Sequence, residues 1–429
     1  MSRPIWLLDN GGIDESLFCQ DFLVGRELAY IGGAFFSLEG RMDDVSVLKK
    51  EIYQEMKPYV TSGIARKVEN ILGVLKLECR REDFPVDDQV IHVANGTYHL
   101  HHGFTEEKQF CRHRLPVNYR PKCPEPKVWL QFLNDLLEEE DIWTLQQFMG
   151  YCLIPSNAAQ KMLLITGKGG EGKSRIGLVM KAMLGNNMSN GSISKVEMSP
   201  FARADLEHLL LMVDDDLKME ALKQTNYIKS IITAEQPMDL ERKGEQSYQG
   251  RMHARFMAFG NGNLRSLHDR SHGFFRRQII LTTKPRDPNR QDDPYLGQKL
   301  IQEIDGIFYW ALAGLYCLRG YDYQFTLSQK TRENLALAVE DGNNILSFLK
   351  SEGYFRFDPE GTVTSRGLYA VYKDWCEDNM YTPLSQNSFW NFLRQNAADY
   401  HLTYTNTIPG GNGRRVRGFQ GIRLCNRGL

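Results

Sequence analysis

The stretch KMLLITGKGGEGKSRIGLVM, residues 161–180, decides how this chain is read. A buried-strand run, MLLIT, breaks into glycines, then a lysine and a serine. Gly167, Gly172, Lys173 and Ser174 match the spacing G-x-x-x-x-G-K-[ST], in which glycines let backbone N–H groups turn inward around phosphates. Ile176, Val179, Met180, Met183 and Leu184 then recur at helical spacing, so a helix N-terminus is expected to face the same anion. The expected ligands are ATP and Mg²⁺. Lys173 reaches the β- and γ-phosphates, Ser174 holds the metal, and Gly167, Gly169, Gly170, Gly172 and Arg175 complete the binding loop.

Working outward, HLLLMVDDD at 208–216 is an apolar run ending in three aspartates. A buried strand that stops at carboxylates beside a phosphate loop assigns one acid to the metal and the next to the attacking water. Asp214 takes the first role and Asp215 the second; a register one residue later brings in Asp216. ARFMAFGNGN at 254–263 is another apolar strand, ending at Asn261, which suits positioning of the water. RSHGFFRRQIIL at 270–281 carries Arg276 and Arg277 just before a strand. Either is a candidate arginine finger, and the sequence does not choose between them. In LERKGEQSYQG at 240–250, Arg242, Lys243 and Gly244 form the tip of an expected hairpin, a cationic projection suited to single-strand phosphates.

The chain has 429 residues, 42% hydrophobic and 24% charged, with a formal net charge of −1. That balance excludes a globally basic nucleic-acid binder, so contacts to nucleic acid must come from local patches. Its cysteines, 8 in number and scattered, suit a reducing compartment. Cys111, His113 and Cys123 in FCRHRLPVNYRPKC lack the tight four-ligand spacing of zinc and read as loop and core residues. No signal peptide is expected, and GIFYWALAGLYCL at 306–318 is too short to span a membrane, so it reads as a buried helix. The expected location is a cytoplasm, that of a bacterial host.

Three domains are expected: a mixed α+β region at 1–150, an α/β nucleotide-hydrolase core at 151–338, and a tail at 339–429. In the first, QVIHVANGTYHL predicts a hairpin turning at Asn95-Gly96, and 128–153 has apolar residues at helical spacing. In the tail, NNILSFLKSEG, SRGLYAVYKDWCEDN and SQNSFWNFLRQN read as three amphipathic helices, with Ser365 and Ser385 as N-caps. YHLTYTNTIPGGNGRRVRGFQGIRL follows as strand, turn, strand, and the order is that of a winged helix-turn-helix. From Gly411 on there are five arginines (414, 415, 417, 423, 427) and no acid. Arg414, Arg415 and Arg417 are therefore expected to contact DNA phosphates. Phe389 and Trp390 read as core.

Taken in order, GKGGEGKS, LLLMVDDDL, IKSIITAEQPMDLERKGE, FMAFGNGN and HGFFRRQIIL resemble the superfamily 3 helicases, in the phage/plasmid primase-helicase group that includes the poxvirus primase-helicase. EIDGIFYWALAGL resembles the helix that follows in that group; VANGTYHL and VNYRPKCPEPKVWLQFLNDLL resemble its preceding domain, and the tail through RRVRGFQGIRL its winged helix. The resemblance covers about residues 25–425. It implies an AAA+ core in a hexameric ring that moves 3′ to 5′ on single-stranded DNA, with ATP between subunits and the finger supplied in trans. Origin duplex DNA and a separate primase or polymerase are further expected partners. Lys173 and Ser174 then hold nucleotide and Mg²⁺, Asp214 and Asp215 are the acidic pair, and Asn261 is the motif C asparagine. Arg276 or Arg277 is the finger, and Arg242 and Lys243 grip DNA. The three aspartates stand where the group often has a glutamate. No primase domain is expected in this chain, so primer synthesis is not. An ATP-regulated origin-binding initiator with little unwinding is the alternative.

Overall fold

The computed structural model describes residues 3–217, 225–244, 246–261, 272–342, 344–409 and 415–425. Contacts divide the chain into two compact units. The first holds Met1–Lys218, Gln224–Asn263 and Arg276–Arg332, and the second is built on Glu333–Leu429.

The first unit begins with a small antiparallel sheet, Leu28–Ile31, Ala34–Ser37 and Gly40–Met42, beside helices Glu15–Leu23, Val45–Met56 and Ile64–Glu78. Phe18, Phe22, Phe35, Ile52, Ile71 and Leu75 pack at their centre. A second sheet runs in the order Gly103–Thr105, Gly96–His99, Val90–Val93, Arg114–Leu115. Its hairpin forms as expected, with one correction. Val93 pairs with Gly96, so Ala94 and Asn95 make the turn and Gly96 opens the return strand. A Cβ on Gly96 would stand 2.1 Å from the Thr105 carbonyl, so the glycine serves the close approach of a third strand.

The helical spacing over 128–153 resolves into two helices, Lys127–Leu136 and Glu139–Tyr151. Leu137 is extended between them, and Glu139, Glu140 and Asp141 fill the first turn of the second helix. Acids at a helix start favour this break by their attraction to the positive end of the helix dipole. The helix Ile304–Gly320 buries Ile307, Phe308, Ala311, Leu312, Leu315 and Leu318. No helix among the described residues is long and apolar enough to cross a membrane.

A parallel five-stranded sheet organises the rest of this unit. Its order is Gln278–Thr282, Met162–Gly167, Arg255–Asn261, Leu211–Asp214, Met188–Asn190. The three central strands are almost wholly buried, as sheets covered on both faces require. Met162–Gly167 is first in sequence yet lies between the fourth and fifth strands, so the chain switches direction there. In open parallel sheets, ligands collect outside the carboxyl ends of strands at such a switch.

The second unit has an antiparallel sheet in the order Phe355–Thr364, Arg415–Leu424, Thr403–Pro409, with helices Asn344–Leu349, Ser365–Asp378 and Gln386–Gln395. Phe348, Leu368, Tyr372, Trp375, Phe389, Trp390 and Phe419 form its core. Strand Phe355–Thr364 has no counterpart in the sequence reading. Its segment Asp358–Gly361 carries a turn-like Asp-Pro-Glu-Gly but forms a register shift between Asp358 and Thr362 within the strand, a bulge in place of a turn. That strand runs straight into the helix, so the cap falls one residue early. Thr364 accepts from the Gly367 N–H at 3.1 Å, and Ser365 is the first helical residue. Ser385 caps its helix as expected, accepting from the Ser388 N–H at 3.2 Å.

Candidate functional site

The glycine loop leaves the end of strand Met162–Gly167 and closes at helix Ser174–Leu184. Gly169, Gly170 and Gly172 have φ of +104°, +82° and +111°, in the region glycine tolerates. Gly167 answers to space: a Cβ there would lie 2.3 Å from Thr283 Oγ1. The loop borders a cavity of about 500 Å³. It is lined by Gly169, Gly170, Gly172, Lys173, Ser174 and Arg175, and from other strands by Asp215 and Asn261. Asn261 lies level with Gly167 in the sheet register, which is why an asparagine 94 positions later reaches this loop.

Of the two candidate acids, Asp215 lines the cavity and Asp214 does not. Asp214 is buried and accepts from the Ile193 N–H at 2.8 Å and the Asp216 N–H at 3.4 Å. Burial pushes its carboxyl above the usual range, and those hydrogen bonds only partly oppose the push. Asp214, expected to hold the metal, is thus turned away from the cavity, and Asp215, expected at the water, borders it. Asp214 anchors the start of helix Ile193–Met198, and Asp215 shares the cavity with Ser174, as do Asp292 and Asp293. Consecutive side chains along a strand point to opposite faces, and Asp214 is the last strand residue, so the neighbouring acids differ in what they meet.

Three charged groups that the sequence reading did not select also shape the loop. Arg286 donates to the Gly170 carbonyl at 3.4 Å and pairs with Asp292 at 2.8 Å. Arg290 donates to the Glu171 carbonyl at 2.8 Å. Both come from KPRDPNRQDD, 284–293, whose prolines and mixed charges read only as a loop. The third group is Glu171 itself, 4% exposed. Its carboxylate accepts from the Lys168 N–H at 2.6 Å, the Gly169 N–H at 2.9 Å and the Lys173 ammonium at 3.0 Å. Burial raises this carboxyl, but the Lys173 and backbone donors outweigh it and hold the group below its ordinary value.

Arg276 and Arg277 lie elsewhere. They precede strand Gln278–Thr282, whose first residue is level with Met162 and whose last is level with Thr166. They thus sit at the amino end of the sheet, and the loop at its carboxyl end. The separation along the strand is about 17 Å at 3.3 Å per residue, beyond what an arginine side chain spans. The Arg276 carbonyl accepts from Lys161 Nζ, and its side chain is exposed; Arg277 is half-buried.

The hairpin forms between Met238–Leu240 and Tyr248–Gly250. Arg242 does not project from it. Its guanidinium is 2.7 Å from Glu207 Oε2, donates to the Gly32 carbonyl at 3.2 Å, and lies 5.2 Å from the Tyr248 ring centroid. Lys243 is exposed at the tip. In the second unit, Arg415 and Arg417 are exposed on strand Arg415–Leu424, with no acidic partner within 4.0 Å among the described residues. Arg423, on the same strand, pairs with Asp358 at 2.7 Å. Arg414 and Arg427 lie outside the described residues. Of the cysteine cluster, Cys111 is buried, and His113, half-buried, contacts Asn187 Oδ1 through Nδ1 at 3.3 Å.

Three stretches of the chain match known families. Residues 28–138 match a family described as D5 N terminal like, and residues 340–412 one described as Poxvirus D5 protein-like. Over those stretches the chain is D5-like. Residues 165–277, which hold the glycine loop, Asp215 and Asn261, match a family of unknown function (DUF5906). Among solved structures, the chain is similar to apo structures of the NrS-1 C terminal region. One aligns with a TM-score of 0.56 at 12% identity, covering 95% of this chain and 99% of that one. The A form aligns with a TM-score of 0.54 at 11% identity, covering 94% and 98%. At such identities the likeness is one of fold.

Proposed function

We propose that this protein is an ATP hydrolase of the superfamily 3 helicase type, an AAA+ P-loop core followed by a winged helix, that moves on single-stranded DNA during replication of a phage, plasmid or other mobile element. One observation carries the reading. The glycine loop, Lys173, Ser174, Asp215 and Asn261 come from three strands and border one cavity. The D5-like stretches on either side support a replication role, and the strand-and-helix order of the second unit supports the winged helix.

The residues fit a nucleotide and Mg²⁺ on the chemistry of the donor set. The loop N–H groups and Lys173 already hold a carboxylate, so they form a seat for an anion. Ser174 and Asp215 supply the hydroxyl and carboxylate oxygens that suit a hard cation. In this scheme Lys173 balances charge on the phosphates, Asp215 and Asn261 orient water at the γ-phosphate, and Arg286 and Arg290, which line the same cavity, hold the loop carbonyls. Mg²⁺, when bound, neutralises phosphate charge. The position of Arg276 and Arg277, far from their own loop, suits a finger given to a neighbouring copy, hence a ring, in keeping with a hexamer. Lys243, Arg415 and Arg417 supply phosphate contacts to DNA, joined by Arg242 once it leaves Glu207.

A forked-duplex assay tests the reading, with Lys173→Ala as control. ATP-dependent strand separation from a 3′ tail, lost in the control, is the expected result. ATP-dependent binding to origin duplex with no strand separation would replace it with the initiator reading.

A further inference from the structure

The donors that make the loop an anion seat are engaged by the loop's own side chain. Glu171 takes the Lys168 and Gly169 N–H groups and the Lys173 ammonium at once. These are the donors a phosphate would need. We propose that Glu171 is a resident occupant of the phosphate seat, a tethered carboxylate that each incoming nucleotide displaces, and that it thereby sets the affinity of the site. The inference rests on the nucleotide reading above and adds a residue to it.

Three features separate this role from that of a loop strut. First, the carboxylate neutralises Lys173 where both are buried, so it supplies the charge that a phosphate would supply. Second, the loop has other supports. Arg286 and Arg290 hold the Gly170 and Glu171 carbonyls, so the loop keeps its shape when the carboxylate leaves. Third, Glu171 is only two residues from Lys173 in sequence. A group tethered that closely competes at an effective concentration in the millimolar range or above.

The consequence follows from mass action. If only a fraction of molecules has an open seat, every phosphate ligand binds more weakly by that same fraction. Inorganic phosphate and nucleoside monophosphates, with few contacts, then drop out of range. A nucleoside polyphosphate has enough further contacts to expel the carboxylate.

The test uses the full chain and two probes, a fluorescent ribose-labelled ADP followed by stopped flow and inorganic pyrophosphate followed by calorimetry. Glu171→Ala empties the seat; Glu171→Gln keeps the size and an acceptor oxygen but removes the charge, and so retains the fold where alanine does not. Hydrogen bonds to charged groups carry enough energy to predict a gain of about tenfold to a hundredfold for Glu171→Ala. The gain should be equal for the two probes and should lie in the association rate, with dissociation unchanged. Weaker binding by both variants would make Glu171 a strut and overturn the proposal, as would a change confined to dissociation. Failure of the nucleotide reading itself looks different: no protein, wild type included, binds either probe.

Discussion

The glycine loop and the basic hairpin each hold a cation against a carboxylate, in opposite ways. Lys173 and Glu171 are two residues apart, in one loop, and both are buried. Arg242 and Glu207 come from separate segments, and the arginine side chain is 31% exposed. In the loop, water is excluded and salt screens little, so only a ligand bringing equivalent charge can take the place of the acid. At the hairpin, water and salt weaken the pair, and such pairs contribute about 1 kcal/mol or less. In the proposed scheme one pair is a seat and the other a latch.

The largest expected effect comes from breaking the buried pair on its cationic side. Lys173→Ala removes charge stabilisation at the phosphates and should lower ATP turnover at least about a hundredfold, measured by phosphate release. Next come the two acids beside that seat. Asp215→Asn should remove turnover while labelled ADP still binds. Asp214→Ala should leave the Ile193 N–H unpaired and cost about 1–3 kcal/mol of stability, read from denaturant unfolding. Equal loss of turnover with no loss of stability in Asp214→Ala would return the metal role to Asp214.

The surface latch predicts smaller changes. Glu207→Gln should release Arg242 and tighten single-stranded DNA binding several-fold at low salt, an advantage that shrinks as salt rises. No change in the salt series would show that Arg242 never reaches the strand. Arg415→Ala combined with Arg417→Ala should reduce the slope of log affinity against log salt by about two for the same DNA. Arg276→Ala and Arg277→Ala ask which arginine completes a neighbour's site. Mixing the inactive one with Lys173→Ala should restore part of the turnover, because one mixed interface then has both intact parts.

Much of the architecture is readable because it is local. The five strands of the parallel sheet include three whose apolar runs are plain in the sequence, and the carboxyl end of each leads to residues that line the cavity. The Ser385 cap, the Asn95 turn region and the buried helix at 304–320 are likewise written in short windows. The misses have local causes too. Strand Phe355–Thr364 hides behind Asp-Pro-Glu-Gly, which makes a bulge. The helical spacing at 128–153 is borne out, but the two-residue break between helices Lys127–Leu136 and Glu139–Tyr151 is not marked by that spacing.

The sequence by itself determined that a glycine loop leads from a buried strand into a helix, because that device is made of backbone, and glycine spacing sets backbone shape. It also placed acids and an asparagine at strand ends. Only the tertiary structure decided that Asp215, not Asp214, faces the cavity, that Arg286 and Arg290 brace the loop, and that Arg242 is turned back onto Glu207. Those outcomes depend on which side of a strand a residue points to and which distant segment packs beside it, and charge type alone fixes neither.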